Sequence, residues 1–395
     1  MKTSTDAMRQ FVIREWALIV SVCVGSSLAH SGTSTMPFQV GALIDGTGIS
    51  ARQAGLFGFV EVGALAVGML VIGLWIDRLP IRTVAILSAL LTAGANVGLL
   101  LVRGFPLQLL LAALAGAGFG FVFAATIASA AASDQPDRLY ALGNGGALLL
   151  IMLILTTLPL GVAHLGALGI FAGLAALALV SAVLLGGLRR GVRSDRQRIA
   201  VWRIPGALGL LFSWASFSTG TGALYAFSER IGKGIHLSAG AIGATLSAGV
   251  FLGVVGSGIA AFSVGRIDRR WALGLGILGT GMSCLLLGYA DTQLAFTVGV
   301  FSYWIFYMFL YSYLLGSAAR LDTTGRVGTM GGGVERLGYG LGAFIGGMLA
   351  DVTGYSGTGI LGFGGCVLGL AIGFPSLFRA LEATGSRPAA PSQVG

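Results

Sequence analysis

Asp134-Gln-Pro-Asp-Arg138-Leu-Tyr-Ala-Leu-Gly143-Asn-Gly145 returns 188 residues later as Asp322-Thr-Thr-Gly-Arg326-Val-Gly-Thr-Met-Gly331-Gly-Gly333. The shared frame is Asp-x3-Arg-x4-Gly-x-Gly. Each copy is a short polar break between two long apolar stretches. The offset is close to half of the 395-residue chain, so the halves read as copies of one unit. Solenoid repeats recur every ~20–50 residues. A period this long in an apolar chain points instead to a membrane protein built from two homologous bundles.

Composition points the same way. Hydrophobic residues are 55% of the chain and charged residues 10%, against roughly 25% charged in an ordinary soluble domain. That is too little charge to solvate a globular surface, so the expected partner of most of it is the lipid bilayer. The 66 glycines suit helices that approach closely in a membrane. The net charge of +9 does not read as a nucleic-acid footprint, because the basic residues are scattered through the breaks between apolar runs. Cys23, Cys284 and Cys366 each stand alone in an apolar run, with no spacing for a metal or a redox pair. No cofactor or metal is expected.

A spanning helix needs about 20 mostly apolar residues. Twelve such stretches are predicted, near 15–38, 51–75, 82–102, 106–132, 139–162, 165–188, 204–229, 238–263, 271–290, 293–316, 328–351 and 357–378. The expected organisation is a six-helix bundle over 1–188, a charged linker at 189–203, a second bundle over 204–379 and a disordered tail over 380–395. Twelve spans put both termini on one side. Of 24 Lys and Arg residues, 19 fall in breaks on that side, four on the other, and Arg336 inside a predicted helix. The positive-inside rule makes the terminal side cytoplasmic, in the inner membrane of a bacterial-style cell.

Several residues stand out against the apolar background. At 1.5 Å per residue, His30 lies about 24 Å above Arg14, and Glu61 lies the same distance from Asp77 on the next, antiparallel helix. A Glu and a His at one height inside a bilayer are candidates for proton binding, against the plainer reading of polar residues satisfied by packing. The tenth span carries Tyr303, Trp304, Tyr307 and Tyr311, with the tyrosines every fourth residue along one stripe. That stripe could stack on a solute ring or cation, or simply pack against helices and lipid. The seventh span is rich in hydroxyls and aromatics, with Trp214, Ser218 and Tyr225 as cavity candidates. The first span is polar at Ser31, Thr33, Ser34 and Thr35 before Pro37, where a proline should kink it.

Between the second and third spans the chain reads Gly73-Leu-Trp-Ile-Asp77-Arg78-Leu-Pro80-Ile-Arg82. This resembles, in part, the signature of the major facilitator superfamily, Gly-x-x-x-Asp-Arg-x-Gly-Arg-Lys, with Pro80 in place of its second glycine and Ile81 in place of its arginine. A weaker echo, Gly265-Arg266-Ile-Asp268-Arg269-Arg270, occupies the matching loop of the second half, with 191 residues between Asp77 and Asp268. The resemblance runs over nearly the whole chain. It implies an all-α membrane fold of two pseudo-symmetric six-helix bundles, probed from a central cavity by the first, fourth, seventh and tenth helices, in a protein that acts as a monomer. It also implies that Asp77, with Arg78 and Arg82, latches onto the start of the eleventh helix, where Glu335 and Arg336 stand; the alternative reading of Arg336 is a substrate-contacting arginine.

The function implied is secondary active transport of a small organic solute, aromatic or amphipathic in character, coupled to protons. Alternatives are a receptor on the same fold that moves nothing, and an efflux pump for drugs or metabolites rather than an uptake permease. An intramembrane enzyme would need a nucleophile with a base, or a metal set, and three scattered histidines supply neither. The chain has no Gly-x4-Gly-Lys-Ser/Thr motif for direct ATP drive.

Overall fold

The computed structural model describes residues 4–73, 79–131, 133, 136–189, 201–322 and 326–385. Asp77, Arg78, Asp134, most of the predicted linker and the last ten residues lie outside it, as do the side chains of Arg138 and Arg326. The protein is all-helical: among the described residues the only β pairing is one isolated bridge between Val264 and Ile267. The first half holds α1 (Ser4–Ser34), α2 (Met36–Thr47), α3 (Ala51–Gly73), α4 (Ile81–Leu101), α5 (Phe105–Ala131), α6 (Pro136–Leu165) and α7 (Gly169–Leu184). The second holds α8 (Ala207–Tyr225), α9 (Ser228–Gly234), α10 (Ala239–Ser263), α11 (Arg269–Gly288), α12 (Gln293–Leu321), α13 (Arg326–Thr353), α14 (Ser356–Leu368) and α15 (Phe374–Gly385). A π-helical segment, Gly369–Gly373, joins the last two into one rod.

Ten of these helices are long and apolar enough to cross a membrane, against the twelve expected. The two that fall short are α8 and α13. The first is crowded with Ser, Thr and Gly, and the second carries Arg326, Glu335, Arg336 and Asp351. These are polar helices enclosed by apolar ones: α8 packs against α13, and α13 against α3. Residues 380–385, expected in the tail, belong to α15, which continues to Gly385.

Turn chemistry sets several helix starts. Ser238, Asp268 and Thr292 cap α10, α11 and α12 by accepting hydrogen bonds from Ala241, Arg270 and Ala295 N–H groups. Asp268, the echo of the loop signature, thus serves as a helix cap. The first span breaks at Thr35, between α1 and α2. Pro37 has no N–H to give the Thr33 carbonyl, and the Phe38 N–H turns to Thr35 instead.

Helix α13 sits between the halves and uses a different face for each. Toward α8 it presents Gly338, Gly342 and Gly346, one every fourth residue, against Ala215, Thr219 and Ala223 at the same spacing. These small residues bring two backbones together, the geometry that holds transmembrane helices in the absence of a hydrophobic drive. Toward α3 it presents Gly340, Ala343 and Gly347, against Phe59 and Val62, Gly55, and Ala51 respectively. The contrast makes a prediction. A side chain at Gly342 would meet the Thr219 carbonyl and the Ala223 amide, backbone atoms that cannot move aside. Gly342→Leu should therefore destabilise the second bundle itself, by about 1–3 kcal/mol or more. Thermal unfolding of the purified variant in detergent checks this; a melting temperature equal to the parent's would count against the close packing.

Candidate functional site

Helices alternate in direction, so the chain has a near end, carrying its termini, and a far end, carrying Asp45, Arg52, Arg230 and Asp351. Among the described residues, the hydrogen bonds and close approaches that join the halves run from mid-depth to the far end. At mid-depth Tyr339 donates to the Thr33 carbonyl at 3.4 Å and Tyr225 to the Ser34 carbonyl at 3.2 Å. Two second-half tyrosines thus serve the carbonyls at the break in the first span. Higher up, Thr156 of α6 bonds Ser247 of α10 at 3.1 Å. At the far rim, both Asp351 carboxylate oxygens accept hydrogen bonds from the N–H groups of Ala51 and Arg52, at 3.1 Å each. A residue of the last bundle therefore caps a helix of the first, where carboxylates are favoured.

Beside it, Asp45 of α2 pairs with Arg230 and with Lys233 (2.6 Å), and Lys233 also reaches Glu229 at 2.7 Å. Burial pushes the Asp45 carboxyl up, but hydrogen bonds and charge from Lys233 and Arg230 outweigh it and hold the group below its usual value. A depressed carboxyl pKa adds to closure of the far end above the ordinary Asp range. The contribution is lost as pH falls through the lowered value. All three side chains are partly exposed, so salt screens the pairs.

Below this closure lies a cavity of about 140 Å³. The first half contributes His30, Thr33, Ser34, Leu148 and Ile151. The second contributes Tyr225, Tyr303, Trp304, Tyr307, Tyr311, Glu335, Arg336 and Tyr339, with Val250 and Met308. The aromatic stripe on α12 forms a ladder. Tyr225 stacks on Tyr303 at 5.8 Å, Tyr303 on Tyr307 at 5.6 Å, and Tyr307 on Tyr311 at 6.2 Å. Trp304 meets Tyr225 and Tyr303 edge-on. The Tyr307 hydroxyl donates to Glu335 at 2.9 Å. Arg336 donates to the Thr33 hydroxyl at 3.3 Å and lies 5.7 Å over the Phe123 ring.

Of the predicted cavity residues, Tyr225, Tyr303, Trp304 and Tyr307 line this space. Trp214 and Ser218 do not: both are fully buried under α13, Trp214 against Gly331 and Tyr311, Ser218 against Gly338. His30 and Glu61 share a height but not a place. His30 faces the cavity, with Nδ1 on the Ser26 carbonyl at 2.7 Å and its ring 5.0 Å from Phe123. Glu61 is 2% exposed inside the first bundle, against Gly32 and near Gln39, whose amide is 3.5 Å away. Its other oxygen has no hydrogen-bond partner. Gly32 is two residues beyond His30 and so about 200° around α1, which puts the two groups on opposite sides of that helix.

Asp77 and Arg78 of the expected latch lie outside the described residues. The α3–α13 register sets Arg336 level with about Gly63, ten residues or roughly 15 Å short of the last described residue of α3 before Asp77. Arg82 rests against Gly186 of its own half. Glu335 and Arg336 line the cavity. Tyr339 went unremarked in the sequence, although it follows Glu335 by four residues and Arg336 by three, the spacing of one helical face.

No protein-family model and no curated protein matches the chain. Solved structures do match in fold. The nucleoside transporter NupG, in a point-mutant form, superposes with a TM-score of 0.70 at 13% identity, covering 93% of this chain and 99% of that one. A D-xylose-proton symporter gives 0.72 at 12% identity, covering 92% and 98%. A bacterial homologue of the lysosomal transporter Spinster, inward-facing and occupied, gives 0.68 at 15%, covering 94% of each. The chain therefore has the major-facilitator fold, over more than nine-tenths of its length.

Proposed function

We propose that this protein is a secondary active transporter that carries a small organic solute by alternating access, driven by protons. One observation carries the reading: a mid-depth cavity, lined by both halves, lies beneath contacts that, among the described residues, join the halves from that depth to the far end. A membrane protein whose halves meet at one end of a shared cavity has the parts for exposing that cavity to one side at a time. The basic residues favour a cytoplasmic near end in an inner membrane, so the state described here faces the cytoplasm. The neighbours named above include a nucleoside transporter and a D-xylose-proton symporter, which agrees with a small polar or aromatic solute.

Proton coupling rests on Glu61 in this reading. An ionised carboxylate enclosed by α1, α3 and α5, with a neutral amide as its neighbour and no cation beside it, is costly in a bilayer. Its charge state and the packing of α1 are then linked, and α1 carries both His30 and the break at Thr35 that the second half holds. His30 is the second candidate, because it reaches the cavity directly. The protein needs no partner chain in this scheme and is taken to work as a monomer in lipid.

Purified protein in liposomes loaded with a pH-sensitive dye tests the reading. Compounds that raise the melting temperature are added outside one at a time. At least one should move protons when added and exchange as labelled solute. A compound that binds tightly yet moves neither would make the chain a receptor on a transporter fold.

A further inference from the structure

The charges on the cavity wall are not equivalent. Glu335 is already engaged: the Tyr307 hydroxyl donates to it at 2.9 Å. Arg336 is 9% exposed and carries five N–H donors, of which the described residues engage one, at 3.3 Å on Thr33. No carboxylate among the described residues lies within ion-pair reach of it. A guanidinium at mid-depth with most of its donors unspent is expensive to hold and is relieved by an anion.

The aromatic wall discriminates further. Tyr303 is stacked on both sides, by Tyr225 and Tyr307, and Tyr307 likewise by Tyr303 and Tyr311. Their faces, which would attract a cation, are covered by one another. What the ladder offers the cavity is ring edges and hydroxyls. Edges are the positive rim of an aromatic quadrupole and meet another ring's face in the T-shaped arrangement. The wall is thus built for a flat ring and is a poor cage for an ammonium group.

We infer that the solute carried is an organic anion with an aromatic body, its carboxylate or similar group anchored on Arg336 and its ring set against the edges of the α12 tyrosines. This rests on the transport reading above and gives its substrate class. A zwitterion would need to draw Glu335 away from the Tyr307 hydroxyl to hold its ammonium group, and a cation would face Arg336 and have to compete for that same carboxylate.

Four ligands with one ring and four head groups test this: indole-3-acetate, indole-3-acetamide, tryptamine and tryptophan, titrated against the purified full-length protein near neutral pH. Indole-3-acetate should bind most tightly, and Arg336→Gln should weaken it about tenfold or more. Arg336→Lys, which keeps the charge and controls for folding, should fall between. Tighter binding of tryptamine or tryptophan, no binding by any of the four at millimolar concentration, or full affinity for indole-3-acetate in Arg336→Gln would each overturn the inference. Counterflow of labelled indole-3-acetate, against protein-free liposomes, separates the two levels. Arg336-dependent binding without counterflow supports the anion site and removes the transport reading.

Discussion

Gly55→Leu is expected to turn the protein from its far-end-closed state to one open on that side. The absent side chain at Gly55 lets α3 lie on the backbone of α13, where an added Cβ would meet the Ala343 carbonyl and the backbone of Phe344. Neither can yield as a side-chain tip could. Within the first bundle α3 uses a different face, where the backbone of Glu61 and of Leu65 receives Gly116 and Gly120 of α5. The leucine therefore wedges the halves apart while sparing the fold of each, unlike Gly342→Leu, which breaks into one bundle. An overpacking cost of about 1–3 kcal/mol confined to the closed state shifts the closed-to-open ratio by about 5- to 150-fold. Asp351→Ala should act in the same direction and more weakly, since losing a helix cap costs about 0.5–2 kcal/mol. The measurement is labelling of Ser34→Cys in the cavity by a maleimide that cannot cross membranes, applied from each side. Both variants should raise far-side labelling, Gly55→Leu more. Unchanged labelling in both would mean that the α3–α13 contact does not close the far end.

The second large effect is expected from Glu61→Gln. The amide keeps the size and shape of the side chain, and Gln39 can still hydrogen-bond it, so the bundle should fold. What is lost is the proposed proton-binding group. A one-unit pH gradient is worth about 1.4 kcal/mol per proton, enough to sustain about a tenfold solute gradient. The parent protein in liposomes should approach that ratio. Glu61→Gln should bring labelled solute only to equal concentrations on both sides, while exchange across the membrane continues. Accumulation at the parent's level would take Glu61 out of the coupling and leave His30, the titratable group in the cavity, as the one to test. Loss of exchange along with accumulation would show Glu61 to be needed for the movement of α1 itself.

The duplicated loop, the alternation of apolar runs and polar breaks, and the scarcity of charge were enough to specify two helical bundles in a membrane. These are properties of period and composition, and burial in lipid enforces them wherever the chain is read. The tyrosines of α12 were legible for a similar reason: a spacing of four residues puts side chains on one face whatever that face meets. Depth was legible too, because rise per residue is constant. Direction around a helix was not. His30 and Glu61 stand at one height, yet close packing of Gly32 and Gly116 turned Glu61 into the first bundle while His30 faced the cavity. Trp214 and Ser218 lie on a cavity-forming helix, and the glycine face of α13 covered them. The same register set Arg336 beside Thr33, in the cavity wall. Only tertiary packing chooses which face of a helix is open, because small residues decide how near two backbones come and therefore which side chains are shut between them.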